Sequence, residues 1–456
     1  MNKKTEKLGN MDVKILILKM ALPAMISMIV QALYNIVDSI FVARISEKAL
    51  TALSLAFPIQ MIIVSIFVGL GVGVNSYISR KLGEGKKDEA INTAEHGLLI
   101  GIAIWSLLAI SSFILPKFFF KLFTDDPVII KYSVQYTRIV MLFSFGSILT
   151  EVCMNILRAT GDMISSMKIQ LLGALINIIL DPIFIFGFLF IPALGVTGAA
   201  IATVIGQLCA MAFALTLVLK NKKGLELDFS KFKYSLNITK EIFRVGVPAI
   251  FMQLLGSFML TGLNLILAGI SSTSVAVFGA YFKLQSFIYM PVFGLNQGMM
   301  PVVGYNYGAK KYDRVASAVK YSVIYAAVIM LFGFILFQLF PRPLLALFNS
   351  SEQMYEIGVV CLRTISYGFI FSAGGIVLST LFQALGKGSI SLFLSFARQI
   401  IFLLPLAFVF SRIMGVQGVW LAFPISEILS LFIAIFFTFK VFKGMGEGSF
   451  VKKKYA

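Results

Sequence analysis

Four oxygen-bearing side chains lie inside stretches of the chain that are otherwise apolar: Asp38, Asn177, Asp181 and Thr203. A charged carboxylate in hydrocarbon costs about 2.5–3.5 kcal/mol even on a lenient insertion scale, and such groups usually mark ion or substrate paths. Carboxylate, amide and hydroxyl oxygens together suit a hard cation such as Na⁺. In a dry site the carboxylates would instead bind protons, because burial and like charge favour their neutral form. These residue types predict a site for a hard cation or for a proton.

The composition explains what surrounds these residues. The chain of 456 residues is 59% hydrophobic and 13% charged, with a mean hydropathy of +0.92, whereas soluble proteins are about 25% charged. Apolar stretches of about 20 residues or more recur along its whole length, which is typical of a polytopic membrane protein. Charged and Gly/Pro-rich breaks predict twelve spans: 13–44, 51–79, 92–115, 131–157, 164–189, 193–219, 241–270, 275–303, 315–340, 355–385, 390–411 and 415–443.

The net charge of +18 is concentrated in particular loops. On a soluble protein it would suggest nucleic acid, but here Lys and Arg cluster in the segments RKLGEGKK (80–87), KNKKGLELDFSKFK (220–233) and GAKKYDR (308–314). Cytoplasmic loops carry such an excess of Lys and Arg. We therefore expect a multi-pass protein of the cell membrane with both termini in the cytoplasm, and no nucleic-acid partner.

The two halves of the chain repeat one another. A shift of 225 residues aligns LPAMI (22–26) with VPAIF (247–251), and GEGKKDEA (83–90) with GAKKYDRV (308–315). Six spans per repeat give both copies the same orientation, related by an axis along the membrane normal. The sequence thus predicts an all-α polytopic membrane protein with twelve transmembrane helices in two six-helix bundles. The predicted parts are an N-terminal lobe at 1–219, a cytoplasmic linker at 220–240 and a C-terminal lobe at 241–456.

The predicted spans place the site residues at one depth. At 1.5 Å per residue, Asp38, Asp181 and Thr203 lie about 9, 12 and 13 Å below the outer ends of their helices. Asn177 precedes Asp181 by one helical turn on the same face. We therefore expect the four side chains to converge in the outer half of the first lobe.

The repeat also supplies an internal comparison for this site. Asp38 corresponds to Leu263 and Thr203 to Phe423, while the other two positions fall on the apolar run 400–406. The shared fold does not require the polar residues, because the second copy lacks them. This asymmetry favours a functional role.

Further polar residues lie on the faces of the first and fourth helices: Gln31, Tyr34, Asn35, Glu151 and Asn155. Polar side chains between membrane helices often serve only as packing contacts. Facing the space between two bundles, they would instead line a substrate cavity at the middle of the membrane. In the second half, Arg398 and Glu427 are candidates for a structural ion pair within the membrane.

Several kinds of site are not indicated. The chain has no GxxxxGK[ST] segment, so ATP-driven transport by this chain alone is not expected. Its one histidine, His96, excludes a multi-histidine metal site, and the three cysteines lie within apolar runs as free thiols. The run GLGVGV (69–74) lies in a span, where small residues let helices pack closely. No nucleophile–base or metal constellation predicts an enzyme, and no cofactor beyond the coupling ion is expected.

The chain resembles the multidrug and toxic compound extrusion family, known as MATE transporters, along its whole length. The stretches that carry the resemblance are YNIVDSIFVAR (34–44), GLGVGVNSYISRKLGEGKKDEA (69–90), LRATGD (157–162), GVTGAAIAT (195–203) and GLNQGMMPVVGYNYGAKKYDR (294–314). The resemblance implies efflux of cationic and amphipathic drugs, driven by inward flow of Na⁺ or H⁺. Small-molecule drugs and the lipid bilayer are then its partners, and we expect a monomer.

The resemblance also carries roles onto residues. In one branch of the family the coupling cation binds in the first lobe, at positions that match Asp38, Asn177, Asp181 and Thr203. Positions matching Gln31 and Glu151 line the drug cavity there. That branch has a neutral amide where this chain has Glu151, and an extra acid would favour cationic substrates or carry a proton itself.

Two other functions compete with drug efflux. A lipid-linked saccharide flippase of the same superfamily would carry a phosphate, so its cavity would need cations, and Lys283, Arg138 and Arg363 keep this alternative open. A membrane-embedded enzyme would need a catalytic constellation that the sequence does not offer. A negative cavity in the first lobe favours drug efflux, and a positive one favours the flippase.

Overall fold

The computed structural model describes the chain at residues 3–43, 47–188, 192–220, 225–348 and 350–453. Within these helices, the side chains of residues 3–4, 35–40, 42–43, 47, 49–50 and 446–453 are outside the description. The side chains of Asp38 and Asn35 therefore lie outside the described residues, although their helix does not.

The described chain is built from helices. In chain order they are α1 (Lys3–Asn10), α2 (Val13–Ala43), α3 (Glu47–Gly83), α4 (Lys87–Ser111), α5 (Leu115–Phe120), α6 (Pro127–Leu142), α7 (Phe145–Ala159), α8 (Met163–Phe186), α9 (Val196–Leu219), α10 (Leu236–Ala268), α11 (Ser272–Gly308), α12 (Tyr312–Leu339), α13 (Pro341–Ala346), α14 (Glu352–Ser366), α15 (Phe369–Ala384), α16 (Gly388–Phe396), α17 (Leu404–Met414) and α18 (Val416–Lys453). A π-helical turn, Ala397–Leu403, joins α16 to α17.

The predicted twelve spans are confirmed. Ten segments of the described chain are long and apolar enough to cross a bilayer, and two bent helix pairs complete twelve. The pair α6–α7 bends by 45° and the pair α14–α15 by 50°. Span four and span ten are counterparts in the repeat, so the break belongs to the shared architecture. The sequence prediction treated both as single helices and did not anticipate either break.

Two helix pairs form most of the interface between the bundles. α2 packs on α11, where a Cβ atom at Gly294 would lie 2.6 Å from the Met25 Cα. α3 packs on α10, where a Cβ at Gly246 would lie 2.9 Å from the Gly69 carbonyl oxygen. In the internal repeat, α10 corresponds to α2 and α11 corresponds to α3. The pseudo-twofold axis therefore relates the α2–α11 contact to the α3–α10 contact. The small residues of the third helix thus permit close helix packing, as the sequence predicted.

The third and eleventh helices cross at one end of the molecule through reciprocal glycine contacts. A Cβ atom at Gly83 would overlap the Tyr305 carbonyl oxygen, and one at Gly308 would overlap the Arg80 carbonyl oxygen. Gly83 and Gly308 are equivalent positions of the repeat, 225 residues apart, and so are Arg80 and Tyr305. We call this end the basic end, because the Lys/Arg-rich segments 80–87 and 308–314 meet there.

Polar contacts between the bundles also lie at the basic end. The Ser76 hydroxyl donates to the Gln383 carbonyl oxygen at 2.6 Å. Arg80 reaches Glu241 of the other bundle at 3.3 Å. These contacts join α3 to α15 and α10, so the two bundles are held together near the ends of these helices.

The short helix α1 ties the two bundles together at the same end. The Thr5 hydroxyl donates to the Thr160 carbonyl oxygen in the first bundle at 3.3 Å. In the second bundle, Asn306 Nδ2 donates to the Leu8 carbonyl oxygen at 2.9 Å, and Arg314 donates to the same oxygen at 3.3 Å. These donors satisfy carbonyl groups that the end of a helix leaves without an internal partner.

The connection between the bundles docks on α4. Glu95 Oε1 accepts the Asp228 N–H at 2.8 Å, and His96 Nε2 accepts the Ser235 N–H at 2.9 Å. His96 Nδ1 lies 2.7 Å from the Asn92 carbonyl oxygen. With Nε2 accepting from Ser235, Nδ1 donates to the Asn92 carbonyl oxygen. The lone histidine therefore holds the start of α10 against α4.

Replacing His96 with Ala is expected to loosen this connection. The Ser235 N–H, which is only partly buried, would lose its acceptor, which costs about 1 kcal/mol and raises local opening by about fivefold. Hydrogen exchange of the segment 225–238 in detergent-purified protein measures this. The matched control is Leu99→Ala, which truncates an exposed side chain of the same helix. Unchanged exchange in His96→Ala would contradict the docking role.

Candidate functional site

Helices α8 and α9 pack closely enough to bring their polar residues together. A Cβ atom at Gly206 would lie 3.0 Å from the Gly173 carbonyl oxygen and 3.3 Å from the Asn177 Cβ. Glycine at 206 therefore lets the α9 backbone approach α8 beside Asn177. This approach is what positions a side chain of each helix against the other.

Three of the four predicted cation-site residues meet in this contact. Asn177 Nδ2 lies 3.3 Å from both Asp181 Oδ1 and Thr203 Oγ1. With the amide turned over, its nitrogen donates to Asp181 Oδ2 at 2.8 Å and its oxygen accepts the Thr203 N–H at 3.1 Å. This second orientation satisfies both amide atoms. Asn177 thus bridges Asp181 of α8 to Thr203 of α9.

Two members of this group are buried. Asp181 is 0% exposed and Asn177 is 3% exposed. Asp181, Asn177 and Thr203 supply carboxylate, amide and hydroxyl oxygens, which are the donor types that hard cations select. Among the described side chains, no group of three or more His, Cys, Asp and Glu residues forms a metal site. The chemistry of the group fits one monovalent cation or one proton, with Asp181 as its single described carboxylate.

The cavity residues of α2 are described in part. Gln31 Oε1 accepts a hydrogen bond from Gln170 Nε2 of α8, which joins α2 to the helix of Asp181. Tyr34 lies one turn further along α2 and is half-buried. The convergence of Asp38 with the cation-site residues and the place of Asn35 in the substrate cavity stay predictions, because both side chains lie outside the description.

The two predicted residues of α7 form a second polar group. Asn155 Nδ2 donates to Glu151 Oε1 at 2.7 Å, and Asn75 Nδ2 of α3 donates to Asn155 Oδ1 at 3.3 Å. Arg158 Nη1 lies 3.5 Å from Glu151 Oε1, and its Nε donates to the Ser166 hydroxyl at 2.9 Å. This network joins α3, α7 and α8 inside the first bundle.

Glu151 is therefore one half of an ion pair. The Arg158 side chain is 6% exposed and the Glu151 side chain is 20% exposed. The guanidinium offsets the charge of the acid, so Glu151 adds less negative potential to the space between the bundles than its sequence position suggests. The role of Glu151 and Asn155 in a substrate cavity stays a prediction.

Breaking this pair from one side is expected to destabilise the protein. Glu151→Gln leaves a buried guanidinium without its counter-charge, which costs about 3 kcal/mol. The double variant Glu151→Gln with Arg158→Met removes both charges and should recover most of that loss. Melting temperatures in detergent for the two single variants and the double variant measure the coupling. Additive effects would show that the two charges do not interact.

Sequence reasoning missed Asn75, whose side chain connects the α7 group to α3. The sequence did contain an indication of this contact, because Gly71 and Ser79 lie one helical turn before and after Asn75. A Cβ at Gly71 would overlap the Asn155 amide, and the Ser79 hydroxyl donates to Asn75 Oδ1 at 3.1 Å. The glycine makes room for an asparagine of the neighbouring helix.

The second bundle differs from the first at the matching places. Leu263 is 0% exposed and Phe423 is 8% exposed, and both pack in the apolar core. The predicted pair of Arg398 and Glu427 forms, with Nη1 and Oε1 3.3 Å apart. Arg398 lies in the π-helical turn, a distortion that sequence periodicity did not reveal.

Comparison with known proteins places the chain in a family. The MatE family model matches residues 23–183 and 248–409, once in each repeat. A protein of Shewanella oneidensis named FAD transporter is 31% identical over 91% of this chain and 91% of its own length. The multidrug export protein MepA of Staphylococcus aureus is 26% identical over 90% of both chains.

Solved structures agree with this assignment. One of them is described as an outward-facing conformation of a multidrug resistance MATE family transporter of the MOP superfamily. It has a TM-score of 0.93 and 28% sequence identity, and the match covers 98% of this chain and 100% of that chain. A MOP superfamily transporter of Pyrococcus furiosus, described as having a binding pocket of reverse polarity, has a TM-score of 0.92 at 28% identity and covers 98% and 99%. The chain is therefore a membrane transporter of the MATE family, the family of multidrug efflux transporters.

Proposed function

We propose that this transporter is a secondary active antiporter that exports cationic and amphipathic compounds in exchange for Na⁺ or H⁺. The observation that carries the proposal is the contact of buried Asp181 and Asn177 with half-buried Thr203, at positions where the second bundle has apolar side chains. A buried carboxylate within a membrane transporter is costly unless it binds a cation or proton during the cycle.

The proposal includes an orientation. The basic end and both termini face the cytoplasm, in agreement with the excess of Lys and Arg in its loops, and the protein is a monomer of the plasma membrane. Its lobes are residues 1–219 and 241–456, joined by the linker 220–240. With the bundles in contact at the basic end, the substrate cavity opens to the outside.

Alternating access follows from the two bundles. An outside cation binds at Asp181, together with Asp38, and neutralises the acids. Neutral acids hold a cationic drug less tightly, and this negative coupling is reciprocal, so drug binding from inside favours release of the ion. Inward movement of one charge supplies about 2.3 kcal/mol per 100 mV of membrane potential. Gln31, Tyr34, Asn35, Glu151 and Asn155 line the cavity in which the drug binds.

A second candidate comes from the relative named FAD transporter, which matches this chain over nearly its full length. Its name suggests a cargo with an aromatic ring system and phosphate groups. The names of the relatives favour drug or cofactor export over transport of a lipid-linked saccharide, and the buried Asp181 opposes a phosphate-binding site in the first bundle.

Transport into vesicles tests the proposal. Purified protein in liposomes is given a fluorescent organic cation under an imposed Na⁺ gradient, an imposed pH gradient, or neither. We expect accumulation to follow one of the two gradients and to collapse when that gradient is removed. Accumulation that ignores both gradients would exclude ion-coupled antiport.

A further inference from the structure

A lysine of α11 lies on the helix face that looks toward α2. Lys283 and Gly294 differ by eleven positions, which is close to three turns at 3.6 residues per turn, so they share a face. At Gly294 this face touches the α2 backbone, since an added Cβ would lie 2.6 Å from the Met25 nitrogen. The lysine therefore lies above the contact between the two bundles, on the side away from the basic end.

The face of α11 that touches α2 at Gly294 is open where Lys283 lies. Its side chain is exposed, as is Phe287 one turn nearer the contact. Had α2 and α11 remained packed as they are at Gly294, this face would be covered. The described side chains of α2 therefore leave this face uncovered at Lys283.

The position of Lys283 along the membrane makes its charge significant. It lies about 16 Å from the start of α11, and about 10 Å from the middle of that helix. This depth falls within a hydrocarbon core of about 30 Å. A charged side chain at such depth usually faces a water-filled cavity and marks a substrate or ion path.

The charge of Lys283 is not neutralised within the described part of the protein. No Asp or Glu side chain described there lies within 4.0 Å of its ammonium group, whereas Arg158 and Arg398 are each paired with a carboxylate. The Lys283 ammonium therefore places an unneutralised charge on the α11 side of the space between the bundles. The helix α10 of the same bundle borders this space as well.

The neighbouring helix presents hydrogen-bonding groups in the same space. Gln253, Ser257 and Asn264 follow Gly246 by seven, eleven and eighteen positions, so all lie on the face with which Gly246 contacts α3. Gln253 and Asn264 are exposed and Ser257 is half-buried. These residues of the second bundle offer amides, a hydroxyl and one cation, whereas Asp181 and Glu151 lie in the first bundle.

We propose that Lys283 binds an anionic group, a carboxylate or a phosphate, of the transported compound. The inference deepens the proposed transport function, on which it rests, by naming the substrate class: amphipathic aromatic molecules that carry an anionic group, with or without a cationic one. The amides of α10 hydrogen-bond the polar atoms beside that group. A substrate with both charges spans the cleft, with its cationic end toward the first bundle and its anionic end on Lys283.

Equilibrium binding to detergent-purified protein tests this with matched ligand pairs. Norfloxacin and its ethyl ester share a ring system and an amine but differ by one carboxylate. Flavin mononucleotide and riboflavin share a ring system but differ by one phosphate. The variants are Lys283→Gln, Lys283→Arg and the control Lys117→Gln, which removes an exposed lysine of α5.

We expect Lys283→Gln to weaken binding of norfloxacin or of flavin mononucleotide by about tenfold, because a charge-assisted hydrogen bond is lost. Binding of the ester and of riboflavin should change less than about twofold, and Lys283→Arg should retain most of the affinity for the anionic member. The pair that responds distinguishes a carboxylate site from a phosphate site.

Equal weakening of both members of each pair, or no change in either pair, would overturn the inference. The same holds if wild-type protein binds no anionic member. Vesicle transport of the cationic ester under ion gradients is read separately. Failure of that transport with intact discrimination by Lys283 would count against ion-coupled antiport and not against the anion site.

Discussion

Replacing Asp181 with Asn is expected to uncouple transport from the ion gradient. The substitution keeps the size of the side chain and removes the only described carboxylate of the Asn177–Thr203 group. Without the charge of Asp181 to neutralise, binding of Na⁺ or H⁺ changes the affinity for the drug much less. Coupling energies are commonly 1–3 kcal/mol, so the gradient-driven part of transport should fall by about five- to 150-fold. Vesicle accumulation of an organic cation with and without the gradient measures this.

The control for this experiment is Asp125→Asn, which removes an exposed aspartate of the loop before α6. It should transport like the wild type. A second readout separates coupling from folding: Asp181→Asn should still exchange substrate across the membrane when no gradient is present. Full gradient-driven accumulation by Asp181→Asn would refute the assignment of the coupling site.

Replacing Gly308 with Ala is expected to stop the cycle for a mechanical reason. Its Cβ would overlap the Arg80 carbonyl oxygen, which is backbone and cannot move aside as a side chain can. Overpacking of this kind costs about 1–3 kcal/mol, and here the cost applies only when the basic end is closed. The equilibrium should therefore shift by about tenfold to a hundredfold toward states in which the bundles separate there.

Accessibility of an introduced cysteine measures this shift. Ser76→Cys lies in the contact with Gln383 and should react with a thiol reagent faster in the Gly308→Ala background. Gly83→Ala should behave in the same way, because Gly83 makes the reciprocal contact with Tyr305. The matched controls are Gly256→Ala and Gly375→Ala, helical glycines whose Cβ would meet no atom within 4 Å. Equal reactivity in test and control variants would contradict the closing role of the crossing.

Much of the fold was predictable from the sequence, because hydropathy identifies the membrane-spanning helices and the repeat shows how the two halves correspond. A helix that spans a bilayer must be apolar along about 20 residues, so α8 and α9 are visible without any tertiary information. The contact of Asn177 with Thr203 was also predictable, since the chain turns back directly between these helices and both residues lie at one depth.

Other features depend on contacts that a single sequence does not reveal. Glu151 and Arg158 lie two turns apart on α7, yet their spacing alone does not distinguish an ion pair from two separate charges. The π-helical turn around Arg398 leaves the apolar pattern unchanged. The docking of the linker on His96 depends on a backbone N–H, and every residue except proline has one.

The docking of α1 has a consequence for biogenesis. Its carbonyl at Leu8 is synthesised well before its partners Asn306 and Arg314, which follow 298 and 306 residues later. The amino-terminal helix must therefore wait at the membrane surface until the ninth span has been inserted. Its docking is one of the last events of assembly, and a chain truncated before residue 306 never acquires it.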